Sequence, residues 1–209
     1  MPDSAAELVP PRATLPKLRE AAAGCRACPL WEEATQTVFG AGNRSSVALF
    51  VGEQPGDRED REGAPCVGPA GRVFDDALAQ AGIDRRAVYV TNAVKHFKWE
   101  PRGKRRIHAK PTWSELTACR PWLEAELAVV RPKVLVCLGA TAAQSLLGRQ
   151  FRVTKQRGEW LDSNLAEHVT ATIHPSAVLR QRDEESRHRE MDKFVNDLKL
   201  VASALPAGG

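Results

Sequence analysis

VALFVGEQPGDRED, residues 47–60, begins as an unbroken apolar run and ends in a sharp polar turn followed by acids. Apolar, β-branched residues at successive positions, bounded by turn residues, read as a strand buried within a sheet. Three further runs have the same form: AVYVTNAV (Ala87 to Val94), KVLVCLG (Lys133 to Gly139) and HVTATIH (His168 to His174). Helical patterns separate them. GRVFDDALAQAG stops at Gly82, TWSELTACRPWLEAELAVV carries a potential break at Pro121, ATAAQSLLG ends at Gly148, and a final helix spans Glu184 to Ala204. Strands alternating with helices imply an α/β fold, a doubly wound and mostly parallel central sheet with helices on both faces.

Ligands of such sheets bind beyond the carboxyl ends of the strands. The first strand is followed by Glu53-Gln54-Pro55-Gly56-Asp57, the second contains Asn92 and leads to His96, and the fourth ends in His174-Pro175-Ser176, whereas the third ends only in Gly139. This convergence at one sheet edge marks a candidate active site. Pro55 and Gly56 turn the chain so that backbone N–H groups can face a ligand. The glycines of GAPCVGPAG permit close approach at a helix start, and His174 can donate to a developing negative charge.

The chain has 209 residues and 43% hydrophobic composition, enough for one ordinary core. We expect an N-terminal arm over residues 1–16, leading into a short helix at Lys17 to Ala23, and a single domain over 17–209. No run of about 18 apolar residues occurs, and the opening MPDSAAELVPPRATLPK lacks the layout of a secretory signal. A cytoplasmic, nucleoid-associated monomer with no membrane contact is therefore expected. The net charge of +4 sets 30 basic residues against 26 acidic ones and by itself excludes little. Between Lys95 and Lys110, however, seven cations face the single acid Glu100, a phosphate-attracting segment where it is exposed.

Five cysteines without an export signal point to metal or catalytic chemistry rather than a disulfide framework. CRACP, Cys25 to Pro29, suits a metal or cluster, a redox pair or two core thiols. It precedes the first strand instead of following one, which favours cluster ligation if two more ligands lie downstream. Cys66, His96, Cys119 and Cys137 are the candidates. Cys137 sits within an apolar strand, where cysteine behaves as a small hydrophobe, so Cys119 is the better ligand.

In order, CRAC, FGAG, VGEQPG, VGPAGRVFDDAL, VTNAVK, ACRPWL, CLGATAAQSLLG and IHPS resemble the motif series of the cluster-containing uracil-DNA glycosylases, from Cys25 to Ser176. GEQPG with VKHFK and the inserted GKRRIH resembles the UdgX-type members, which end covalently attached to DNA. The resemblance implies a 4Fe-4S cluster on Cys25, Cys28, Cys119 and His96, with Cys137 as the fallback fourth ligand. It implies a uracil pocket from Gly52, Glu53, Gln54, Asn92 and His174. Cys66 stands where the family usually stacks an aromatic ring on the base.

The implied partner is uracil-containing DNA, preferably single-stranded, gripped by Lys104, Arg105 and Arg106. The implied chemistry is uracil excision with His108 as nucleophile, Glu53 orienting it and His174 stabilising the leaving base. Two other readings remain: a hydrolytic glycosylase in which Glu53 positions water, and a noncatalytic cluster protein that binds nucleic acid. Preference for another deaminated base is also open.

Overall fold

The computed structural model describes residues 4–206; residues 1–3 of the expected arm and residues 207–209 lie outside it. Its centre is a four-stranded sheet made of β1 (Ala48–Gly52), β2 (Val88–Asn92), β5 (Val134–Leu138) and β6 (His168–Thr172) in the order β2-β1-β5-β6. All three pairings are parallel. The remaining strands, β3 (Trp99–Arg102) and β4 (Arg105–His108), form a separate antiparallel hairpin. The helices are α1 (Leu15–Ala23), α2 (Asp57–Glu62), α3 (Pro69–Gln80), α4 (Trp113–Val130), α5 (Ala140–Leu147), α6 (Val153–Gln156), α7 (Ser176–Leu179) and α8 (Glu184–Ala204).

Alternate residues of each strand point to opposite sides, so the continuous apolar runs serve two cores. Leu49, Val51, Leu135 and Cys137 join Leu18, Trp122 and Leu123 of α1 and α4 on one face. Ala48, Phe50, Val134 and Val136 join Phe74, Leu78, Phe194 and Leu198 of α3 and α8 on the other. The doubly wound expectation holds, and the four strands fall within two residues of their expected bounds. The 3-10 turn Ala5–Leu8 packs against α4 with Ala5 fully buried.

Helix α4 runs through Pro121 without a break. Proline removes one hydrogen-bond donor and crowds the preceding turn. Here Trp122 and Leu123 are anchored at 0% and 1% exposure, and the Thr112–Glu115 capping box fixes the helix start. That tertiary burial outweighs the local cost.

The chain goes from β1 outward to β2, then returns across β1 to β5 on its other side. The carboxyl ends of β1 and β5 therefore flank a topological switch point, where a crevice opens in sheets of this kind.

The candidate active site

A cleft of about 1100 Å³ lies at that switch point, lined among others by Gly52, Glu53, Asn92, His108, Thr141 and His174. Register brings these residues together: Gly52 pairs with Asn92 across β1 and β2, and Leu138 with Thr172 across β5 and β6. Gly52 has a steric reason to be glycine. A Cβ there would lie 2.4 Å from Asn92 Oδ1, so a larger residue would displace the amide.

His174 follows β6. Its Nδ1 accepts the Ser176 backbone N–H at 3.2 Å and stands 2.8 Å from Ser176 Oγ, which itself accepts from Arg180 at 2.7 Å. With Nδ1 accepting, the proton sits on Nε2. Burial lowers the pKa of His174 to about 4, so near neutral pH the ring is an uncharged donor. A neutral donor aimed where negative charge develops is the arrangement that stabilises a departing anion.

Glu53 Oε1 lies 3.2 Å from His108 Nε2. Burial works to raise the carboxyl's pKa, but hydrogen bonds from His108 and Thr141 outweigh it and hold Glu53 below its ordinary value. Glu53 is thus an anion beside an imidazole, a pairing that fixes the ring's tautomer and orientation. Thr141 did not emerge from the sequence. It lies in the first turn of α5, beyond Gly139, where the third strand seemed to offer nothing polar.

His108 reaches the cleft on the β3–β4 hairpin. The sequence suggested only a basic loop there, because Trp99-Glu100-Pro101-Arg102 and Arg105-Arg106-Ile107-His108 show no alternating apolar face. Gly103 has φ +60° in the two-residue connection, matching a tight hairpin turn that favours glycine first. Gln54 braces the base of this hairpin. Its Nε2 donates to Lys98 O at 3.1 Å and Ala109 O at 2.9 Å, and its Oε1 accepts Lys98 N–H at 2.9 Å. The side-chain amide is therefore committed to the hairpin, while Gln54 still borders the cleft.

Arg106 departs from expectation in the same way. Its Nε donates to Asp57 Oδ1 at 2.5 Å and its Nη1 to Asp60 Oδ2 at 2.7 Å, and Asp60 is fully buried. The guanidinium also lies 5.4 Å from the Phe97 ring centre and 5.5 Å from that of Trp99. A bidentate-capable cation facing two acids is spent inside the protein, leaving Lys104 and Arg105 as the exposed pair beside it. Two more cations of the basic run turn inward: Lys98 pairs with Glu115 at 3.0 Å, and Lys95 is fully buried. Arg106→Ala should free the hairpin from α2 and strand Asp60. Charge-assisted hydrogen bonds carry about 1.5–3 kcal/mol each, so we expect a loss of about 2 kcal/mol, with faster hydrogen exchange at Ala109 as the local readout. Unchanged protection at Ala109 would remove the anchoring role.

Cys66 lines the cleft with φ +62°, a left-handed conformation uncommon for a residue with a side chain. Gly71 makes room for that turn, since a Cβ at Gly71 would lie 1.8 Å from Cys66 O. Burial pushes the Cys66 thiol up to about 12, so it presents a neutral sulfur surface.

Behind the sheet edge, Cys25, Cys28 and Cys119 draw together. Burial raises Cys28 and Cys119, Cys119 to about 12, and each is further raised by the charge of neighbouring members of the trio. Cys25 Sγ accepts Trp122 Nε1–H and Cys119 Sγ accepts Lys95 N–H, both at 3.3 Å. His96 Nε2 lies 2.8 Å from Thr37 Oγ1, whose hydroxyl donates to Ala22 O at 3.0 Å. That chain places the Nε2 proton on the Thr37 side and leaves Nδ1 with its lone pair. Cys137 stays apart on β5, where burial alone perturbs it. Among the described residues no group of three or more His, Cys, Asp or Glu closes on a point as one metal ion requires. Three thiols and an imidazole are a donor set that an iron–sulfur cluster or a single zinc ion can use.

No described helix is long and apolar enough to cross a membrane. A family model described as the uracil DNA glycosylase superfamily matches residues 39–199. The chain is 40% identical to a type-4 uracil-DNA glycosylase of Thermotoga maritima over 164 residues, 78% of this chain and 82% of that one. It is 35% identical to a type-4 uracil-DNA glycosylase of Sulfurisphaera tokodaii over 196 residues, 90% and 86% of the two chains. A type-5 uracil-DNA glycosylase of Pyrobaculum aerophilum is similar over a shorter stretch, 35% identical across 46% of this chain and 40% of its own.

Proposed function

This chain belongs to the uracil DNA glycosylase superfamily, and on that premise we propose that it excises uracil from DNA and ends covalently joined to the abasic sugar through His108. The observation that carries this reading is the contact of His108 Nε2 with Glu53 Oε1 at 3.2 Å, made by a hairpin that Gln54 and Arg106 fasten over the cleft.

The target nucleotide must leave the base stack or come from a single strand, because its glycosidic bond is otherwise out of reach. Gly52, Glu53 and Asn92 supply backbone and amide partners for the pyrimidine edge, with Cys66 against its face. As the bond between C1′ and the base nitrogen breaks, its electron pair goes to uracil, and His174 Nε2–H stabilises the anion. Neutral His108 donates Nε2–H to Glu53 and keeps a lone pair on its other nitrogen, which bonds to the electron-poor C1′. The alkylated ring then passes its remaining N–H proton to Glu53, from which it returns to uracil. Charge and protons balance without water. Covalent capture of this kind makes the protein a single-turnover enzyme.

Cys25, Cys28, Cys119 and His96 would hold a 4Fe-4S cluster, whose role is to tie the N-terminal turn, the loop after β2 and α4 into one unit. Lys104 and Arg105, exposed at the hairpin tip, would meet phosphates. We further infer that a monomer acts on single-stranded DNA.

The test mixes purified protein with a uracil-containing single-stranded oligonucleotide, then boils the sample and runs a denaturing gel beside a thymine control. A uracil-dependent shifted band is expected. Free uracil with an alkali-labile strand and no such band would replace capture by hydrolysis, and neither product would leave only nucleic-acid binding.

A further inference from the structure

Beside the cleft, Trp113 stands 37% exposed at the first position of α4, with the Arg149 guanidinium 4.2 Å from its ring centre. This exposure is not loose packing. The Thr112–Glu115 capping box fixes the backbone under Trp113, and Thr117 Oγ1 donates to Trp113 O at 2.9 Å. A single exposed ring is ordinary by itself, so its meaning rests on the groove and the cations around it. Trp113 borders a shallow groove with Ala93, Thr117, Arg120 and Ser145, and no carboxylate lines it.

Three links along the chain place this groove close to the cleft. Lys110 lines the cleft three residues before Trp113, Ala93 of the groove directly follows Asn92 of the cleft, and Thr141 and Ser145 lie one turn apart on α5, the first in the cleft and the second in the groove. Val153 lines the cleft between exposed Arg152 and Lys155. Among the described residues Lys110, Arg149, Arg152 and Lys155 have no ion-pair partner within 4.0 Å, unlike Lys95, Lys98 and Arg106. A positively charged track with one fixed aromatic is the chemistry that holds a single nucleic-acid strand: cations follow the phosphates, and the ring stacks a base of any identity.

We propose that Trp113 and Arg149 form a platform for one flank of the DNA strand, stacking a base beyond the flipped nucleotide while Lys110, Arg152 and Lys155 track its phosphates. The inference rests on the DNA-processing reading but concerns binding alone, so its test omits uracil. Fluorescence anisotropy would follow labelled oligothymidines of increasing length, with wild-type protein, Trp113→Ala, Trp113→Phe and Arg149→Ala.

Base stacking is worth about 1–3 kcal/mol by alanine substitution, so Trp113→Ala should bind long strands about tenfold more weakly and trinucleotides almost as wild type does. Trp113→Phe should recover most of the loss. Arg149→Ala should lower the salt slope of single-strand binding by about 0.7. A second series carrying uracil, extended on its 5′ or its 3′ side, should show the loss for one side only. Equal binding of long strands by wild type and Trp113→Ala would overturn the platform. Normal loss on oligothymidine with no uracil-dependent product from any variant would overturn the glycosylase reading and leave the platform standing.

Discussion

His108→Ser should reduce the boiling-resistant DNA adduct from near stoichiometric to background while uracil release continues. The serine hydroxyl is too short to reach the position of the imidazole on β4, and its removal uncovers Glu53, whose carboxylate then faces solvent across the 3.2 Å gap that His108 filled. A water in that space has a base to orient it. His174 and Asn92 are untouched, so leaving-group stabilisation survives. The variant should therefore turn over repeatedly, and free uracil should exceed protein in molar amount. The check is a paired assay of the same reaction, by gel for the crosslink and by chromatography for uracil. A crosslink that persists at the wild-type level would exclude His108 as nucleophile. Loss of both products would instead give His108 a part in bond breaking itself.

Lys95→Met should cost about 3–5 kcal/mol of folding stability, the range for breaking a buried ion pair from one side. Lys95 Nζ donates to Glu126 Oε2 at 2.5 Å, Thr91 Oγ1 at 2.6 Å and Asn92 O at 2.8 Å, using all three of its protons. Glu126 is equally committed, accepting also from Gly40 N–H at 3.1 Å, Tyr89 OH at 2.8 Å and Thr91 Oγ1 at 2.9 Å. Both side chains are completely buried. Methionine would leave a carboxylate without its counter-charge, a penalty larger than the net gain the pair supplies. Replacing Glu126 as well, with leucine, should restore part of the loss. Denaturant unfolding of the single and double variants measures this directly, and a single-variant loss under about 1 kcal/mol would contradict the burial argument.

The four inner strands were legible because a parallel strand covered on both faces must be apolar at every position, and few other structures demand that pattern. His174, Asn92 and Glu53 were legible for a related reason: polar residues at the ends of such runs have only the crevice to face. The cations of residues 95–110 were not legible. Lys95, Arg106 and Lys104 are alike in sequence, and what separates them is an acid far along the chain, Glu126 for Lys95 and Asp60 for Arg106, that the one-dimensional pattern does not pair. The bracing role of the Gln54 side chain was hidden for the same reason, since its partners Lys98 and Ala109 meet it only after the hairpin folds. Thr141 was hidden inside a helix whose small, apolar composition reads as packing. Pro121 suggested a break because propensity is local and the burial of Trp122 is not.

The hairpin closes on itself where it leaves the domain: Ala109 N–H donates to Lys98 O at 3.0 Å, so its two ends stand side by side. Residues 99–108 could therefore be cut out and the ends rejoined by a short turn without moving β2 or α4, provided Asp60, left without Arg106, is replaced as well. In the proposed reaction, capture of the sugar would then belong to the hairpin and removal of the base to the sheet edge, two separable parts of the chain. A hairpin attached in this way could be transplanted onto a related scaffold that offers a carboxylate after its first strand and acids to receive Arg106, and the graft would carry His108 with it.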